Sequence, residues 1–81
     1  MFSQYVEEAL KRAVYQQLSD RTFGGKIPLC PGAVAFGKSL YECQKELQES
    51  LEGWLMVKIR HGDRIPPIAR IDLNKHLPKA A

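Results

Sequence analysis

Few side chains in this sequence have the types and spacings that chemistry requires. Acid–base catalysis needs titratable groups that converge in a cleft. The carboxylates Glu42, Glu46, Glu49 and Glu52 recur instead at the three- and four-residue spacing of one solvated helix face. His61 and Asp63 are close in the chain, with His76 further on, but a metal needs three or four preorganised ligands and this set is sparse. Ser39 has the position of a helix cap, Ser50 lies inside a helical pattern, and no Gly-x-Ser-x-Gly occurs. Cys43 falls on an apolar stripe, where a thiol acts as a small hydrophobe rather than a nucleophile. Gly24-Gly25 is not followed by Gly-Lys-Ser. It reads as a bulge, or as a place where a bulky side chain crosses a strand, and not as a phosphate-cradling loop. No catalytic residue, metal ligand or cofactor is expected, and the chain reads as non-enzymatic.

The dominant element is a helix over 39–61. Ser39 at the N-cap and Glu42 three residues later form a capping box. Gly62 supplies a left-handed stop, with Arg60 and His61 placed to complement the helix dipole. Leu40, Cys43, Leu47, Leu51, Trp54 and Leu55 draw one apolar stripe. Trp54 is large enough to dominate either a core or an interface, and its place on that stripe assigns it to the core. A helix with one greasy face needs a platform, which the preceding residues supply.

Phe2, Tyr5, Val6, Ala9, Leu10 and Ala13 repeat the helical period, predicting a short helix over about 3–12 with ion pairs Glu7–Lys11 and Glu8–Arg12. The period then changes to alternation, predicting strands over about 14–19, 22–27 and 33–36, the first two joined at Asp20-Arg21. Pro28 and Pro31 make 28–32 a rigid connection outside regular structure, with Gly32 free to take a positive φ. Gly37-Lys38 turns the chain into the long helix. In the tail, 63–81, Ile65-Pro66-Pro67-Ile68 is stiff and extended, 69–73 is either a short fourth strand or a segment ordered in a dimer, and 75–81 is frayed. Three strands with short links favour an antiparallel meander. The fold class is α+β: helix, three-stranded antiparallel meander, long helix on one face.

With 81 residues the chain is one domain, and so short a domain gains from burying more surface by dimerising. The 44% hydrophobic content argues against disorder. The net charge is +3, with the basic residues Lys58, Arg60, Arg64, Arg70, Lys75 and Lys79 toward the end. That distribution serves solubility or favours phosphates. No run is long enough to span a membrane, and the start lacks the basic and apolar regions of a signal peptide. Cys30 and Cys43 are not spaced as Cys-x-x-Cys and are expected to be reduced thiols of a cytoplasmic protein.

Taken in order, Ile27-Pro28, Cys30-Pro31-Gly32 and Gly37-x-Ser39-x-x-Glu42-Cys43, then Glu52-x-Trp54-Leu55 and Gly62-Asp63-x-Ile65-Pro66, resemble the HicB-like antitoxin family. Cys30 stands where leucine is common in that family and Cys43 where alanine is common. The resemblance covers roughly 15–67. It implies a degraded ribonuclease-H-like fold and a non-catalytic domain that binds and neutralises a HicA-type toxin, a small ribonuclease that cleaves mRNA. Two features depart from the pattern: nothing after Pro67 is long enough for the DNA-binding domain many members carry, and the N-terminal helix is an addition found in small stand-alone members.

Two other readings compete with it. Helix, three strands, helix is also the order of the double-stranded-RNA-binding domain, but that mode wants lysines where the last helix starts, and here Lys38 is followed by Glu42 before Lys45. A residual nuclease is the third reading. For a partner or a second copy, the candidate surface is the exposed edge of the third strand, Ala33, Val34, Ala35 and Phe36, with Tyr41 beyond the turn.

Overall fold

A computed structural model describes residues 2–73 of the chain. The elements are α1 (Phe2–Lys11), β1 (Val14–Gln17), β2 (Phe23–Ile27), β3 (Cys30–Gly37) and α2 (Leu40–His61). The strands form one antiparallel sheet in the order β1-β2-β3, and α2 lies across one of its faces, so the expected α+β layering holds.

Both ends of α2 are built as their residues dictate. The Glu42 N–H donates to Ser39 Oγ at 3.1 Å, and the Glu42 carboxylate reaches back to the Lys38 N–H at 3.1 Å, one residue earlier than the reciprocal partner of a capping box. At the other end Gly62 has φ 70°, its N–H donates to the Ile59 carbonyl, and the Asp63 N–H donates to the Lys58 carbonyl. This is a Schellman motif, and it needs the left-handed backbone that glycine adopts without steric cost. Between the caps, Cys43, Leu47, Leu51 and Leu55 are fully buried. Their uniform four-residue spacing makes a ridge oblique to the helix axis. Leu40, at the start of the predicted stripe, is exposed, and Trp54 is half-buried.

The predicted connection over 28–32 is instead part of the sheet. Pro28-Leu29 is a tight turn, and β3 begins at Cys30, opposite Ile27. The ladder shifts register between Lys26 and Ile27, since Lys26 already faces Val34, and the extra residues of β3 form a bulge. Pro31 is accommodated because β3 is an edge strand, where a missing N–H costs no ladder bond. Gly32 does not use a positive φ; among the described residues Gly62 is the only glycine that does. A Cβ on Gly32 would lie 2.3 Å from Trp54 Cδ1, so glycine is there to let the indole lie on the strand.

In the turn after β1, Arg21 takes φ 69° and Asp20 Oδ1 accepts from the Thr22 N–H at 3.1 Å. In α1, Glu8 pairs with both Lys11 (2.7 Å) and Arg12 (3.3 Å); the expected Glu7–Lys11 pair is replaced by the i,i+3 contact. The two bonds hold the Glu8 carboxyl below its ordinary pKa. The segment 69–73 adds no strand to the sheet. Ile68 and Ile71 face each other in an isolated bridge, with Ala69 and Arg70 both at positive φ, as the two central positions of a type I′ turn demand. The predicted fraying over 75–81 and His76 lie outside the described residues.

α1 completes the core by burying Tyr5, Val6 and Ala9, together with Ile65, Ile68 and Leu73 from the segment after α2. The Tyr5 hydroxyl donates to the Pro66 carbonyl at 2.5 Å and lies 3.8 Å from Cys30 Sγ. A carbonyl can only accept, so the Tyr5 proton goes to Pro66 and the Cys30 thiol is the donor to the phenolic oxygen. Burial pushes Tyr5, Tyr15, Cys30 and Cys43 above their ordinary pKa values of 10.0 for tyrosine and 9.0 for cysteine. All four groups are therefore uncharged in the folded chain at neutral pH. With folded-state values raised, their stabilisation is complete below the unfolded-state values and is lost as pH rises past them. Thermal melts should show Tm constant to about pH 8 and falling beyond it, as the cysteines and then the tyrosines ionise in the unfolded chain. Tyr5→Phe should cost about 1–2 kcal/mol at neutral pH by orphaning the Pro66 carbonyl, and should make the alkaline decline shallower. An unchanged alkaline slope in that variant would exclude Tyr5 as a contributor.

Candidate interaction surface

The second face of the sheet is uncovered. Strand alternation sets Val14, Lys26 and Val34 in one cross-strand row, and Gln16, Gly24 and Phe36 in the next. With Leu18 they line a shallow depression of about 200 Å³. Val14 is 50%, Val34 49% and Phe36 65% exposed, unusual for large apolar side chains gathered on one face. Gly24 is part of the construction: a Cβ there would meet the Phe36 ring at 3.4 Å, so the ring lies down over the glycine. On the helix side, Tyr15 covers Gly25 in the same way, 2.9 Å from where a Cβ would sit. The Gly24-Gly25 pair thus carries two crossing aromatic rings, one per face, and the bulge lies two residues further on.

The four residues picked out on the third strand divide between the two faces. Ala33 and Ala35 are buried under α2, at 0% and 6% exposure, so only their backbone remains at the edge. Val34 and Phe36 face outward on the open side. Tyr41 is 72% exposed but belongs to another region, the groove between α1 and α2, with Tyr15, Leu10 and Gln44. Of the remaining motif residues, Ser39, Glu42 and Gly62 are caps, Gly32 and Trp54 are one contact, Pro28 is in the turn and Pro31 in the bulge. Gly37 is the point where α2 presses on the sheet, since a Cβ there would lie 2.5 Å from the Cys43 backbone N. Val14, Leu18 and Lys26 were not singled out from the sequence. The signal was the alternation of Val14, Gln16 and Leu18, which marks a face without saying whether a helix covers it.

The surface is poor in chemistry. Its one charged side chain is Lys26, and its lining holds no carboxylate, histidine or thiol. Among the described residues no group of three His, Cys, Asp or Glu side chains could hold a metal ion. Cys43 is buried and donates to the Ala35 carbonyl at 3.8 Å. Lys58 sits 5.4 Å from the centre of the Trp54 ring and 3.9 Å from Asp63, contacts that tie the end of α2 together. Among the described residues no helix is long and apolar enough to cross a membrane. What this face can do physically is bury apolar area against another macromolecule.

The architecture recurs in the crystal structure of TTHA0281 from Thermus thermophilus, which is similar to this chain with a TM-score of 0.82 and 40% sequence identity over 88% of this chain and 89% of that one. Among curated proteins there is no match. The family model described as UPF0150-like matches residues 4–66, which include most of α1, the whole sheet and α2. With that span matched, the chain belongs to the UPF0150-like family.

Proposed function

We propose that the protein is a cytoplasmic antitoxin-like binding module that neutralises a HicA-type mRNA-cleaving toxin by docking it on the open face of the sheet, without catalysis of its own. The observation that carries this reading is the exposed apolar face of Val14, Val34 and Phe36, left bare on a sheet whose other side packs against α2. The ordered motif from Ile27-Pro28 to Ile65-Pro66, which resembles that of HicB-like antitoxins, supplies the partner class. Steric occlusion asks for a complementary apolar surface and no titratable machinery, and this face offers that combination.

Co-expression with a cognate HicA-type toxin should relieve growth arrest, and the two proteins should co-purify. Val14→Glu puts a charge on the open face at β1, away from the β3 edge. It should weaken the complex by at least about tenfold, the cost of one buried anchor near 1.4 kcal/mol, while leaving the fold intact because Val14 is half exposed. Neither rescue nor co-purification with the wild-type chain would refute the proposal.

A further inference from the structure

The free edge of β3 has a register that fits a second copy of itself. Its backbone direction follows from the ladder. The Leu18 N–H donates to the Thr22 carbonyl at 2.7 Å, and antiparallel bonded pairs recur at every second residue. The bonded pairs of β1 and β2 are therefore Gln16 with Gly24 and Val14 with Lys26, in the register observed. This leaves Phe23 and Gly25 of β2 to bond β3, through Gly37 and Ala35. The N–H and C=O groups of Val34 and Phe36 consequently point away from the sheet. Among the described residues, no backbone hydrogen bond of the turns, loops and caps uses them.

Exposed edges are ordinarily protected by charges, proline, bulges or brevity. β1 is only four residues long and ends in two glutamines. The first half of β3 has Pro31 and the bulge. The second half, from Ala33 to Gly37, is regular and carries no charged residue.

We propose that this half-strand pairs antiparallel with the same half-strand of a second copy, about a two-fold axis at Ala35, to make one continuous six-stranded sheet. In that register the outward-pointing groups of Val34 and Phe36 bond those of the partner's Phe36 and Val34. Each Val34 also packs on a Phe36 ring across the seam, a favourable β-branched–aromatic pair. On the helix side the seam holds only Ala33, Ala35 and Gly37, too small to push the two α2 helices apart. A two-fold axis at Val34 would carry the ladder into the Gly32 bulge. One at Phe36 would set Val34 opposite Lys38, whose N–H is already taken by the Glu42 carboxylate.

Sedimentation velocity of the full chain over a concentration series tests this, with circular dichroism to confirm folding of each variant; both altered positions are solvent-exposed. The wild-type chain should be a dimer. V34K/F36K sets lysine opposite lysine twice and should raise the dimer dissociation constant by at least about tenfold. V34K/F36E sets lysine opposite glutamate twice in the Ala35 register alone and should recover dimerisation. A monomeric wild-type chain, equal dimerisation of both variants, or dimers in neither would each overturn the proposal. The readout involves no toxin, so it is independent of whether a toxin docks on the open face.

Discussion

Leu51→Ala is expected to lower the unfolding free energy by about 2–5 kcal/mol, the range for deleting a fully buried leucine into a core that cannot collapse around the gap. Leu51 has no solvent exposure and sits mid-way along the buried ridge of α2, between Leu47 and Leu55. A domain of this length has a total stability of about 4–12 kcal/mol, so a substantial share of it rests on this one side chain. Urea denaturation followed by circular dichroism reads the effect as a shift in midpoint at unchanged slope. Leu51→Met, which keeps the volume, should lose less than about 1.5 kcal/mol. Equal losses for the two variants would contradict tight packing at this point.

Gly37→Ala is the second large effect. Its added methyl would lie 2.5 Å from the Cys43 backbone N and 2.9 Å from the Cys43 Cα. These atoms belong to the first turn of α2, held by the Ser39 and Glu42 caps, so relief requires the helix to lift away from the sheet. Overpacking of this kind costs about 1–3 kcal/mol and occasionally more, here about 3 kcal/mol, or a Tm lower by more than about 10 °C. Gly32→Ala makes a contact that is nominally closer, 2.3 Å, but the obstacle is the half-buried indole of Trp54, which can swing outward. Differential scanning calorimetry of the pair should rank Gly37→Ala as the more damaging. The reverse order would mean that Trp54, not the start of α2, is the rigid partner.

These two glycines also mark the boundary of what could be read from the residues in order. The caps of α2, its buried ridge, the meander and the crossing of side chains at Gly24-Gly25 were all legible, because each depends on local chemistry: a hydroxyl three residues before a glutamate, a four-residue period, an absent Cβ. Gly32 was legible as a required glycine but not for its reason. Trp54 reaches it only after α2 has folded back over β3, and no local rule reports such a distant contact. The start of β3 was missed for a related cause. Two prolines signal broken structure unless the strand is known to be at an edge, and edge position is a property of the sheet. The candidate surface was half visible for the same reason. Ala33, Val34, Ala35 and Phe36 read together as one edge, because which of them α2 covers depends on the direction of the turn at Gly37-Lys38.

The hydrogen bond from Tyr5 to Pro66 joins residues 61 positions apart, closing nearly the whole described chain into a ring. Loop-closure entropy makes such a contact about 1.5 kcal/mol harder to form from the open chain than one closing a ten-residue loop. The meander and its lid are short-range by comparison, so they can assemble before α1 docks. α1 and the segment from Ile65 to Leu73 then have to arrive together, since each supplies part of the other's binding site. The order is expected to reverse on the way out, with α1 and the segment from Ile65 to Leu73 released as a pair while the sheet and α2 remain folded, which native-state hydrogen exchange would read as one shared opening.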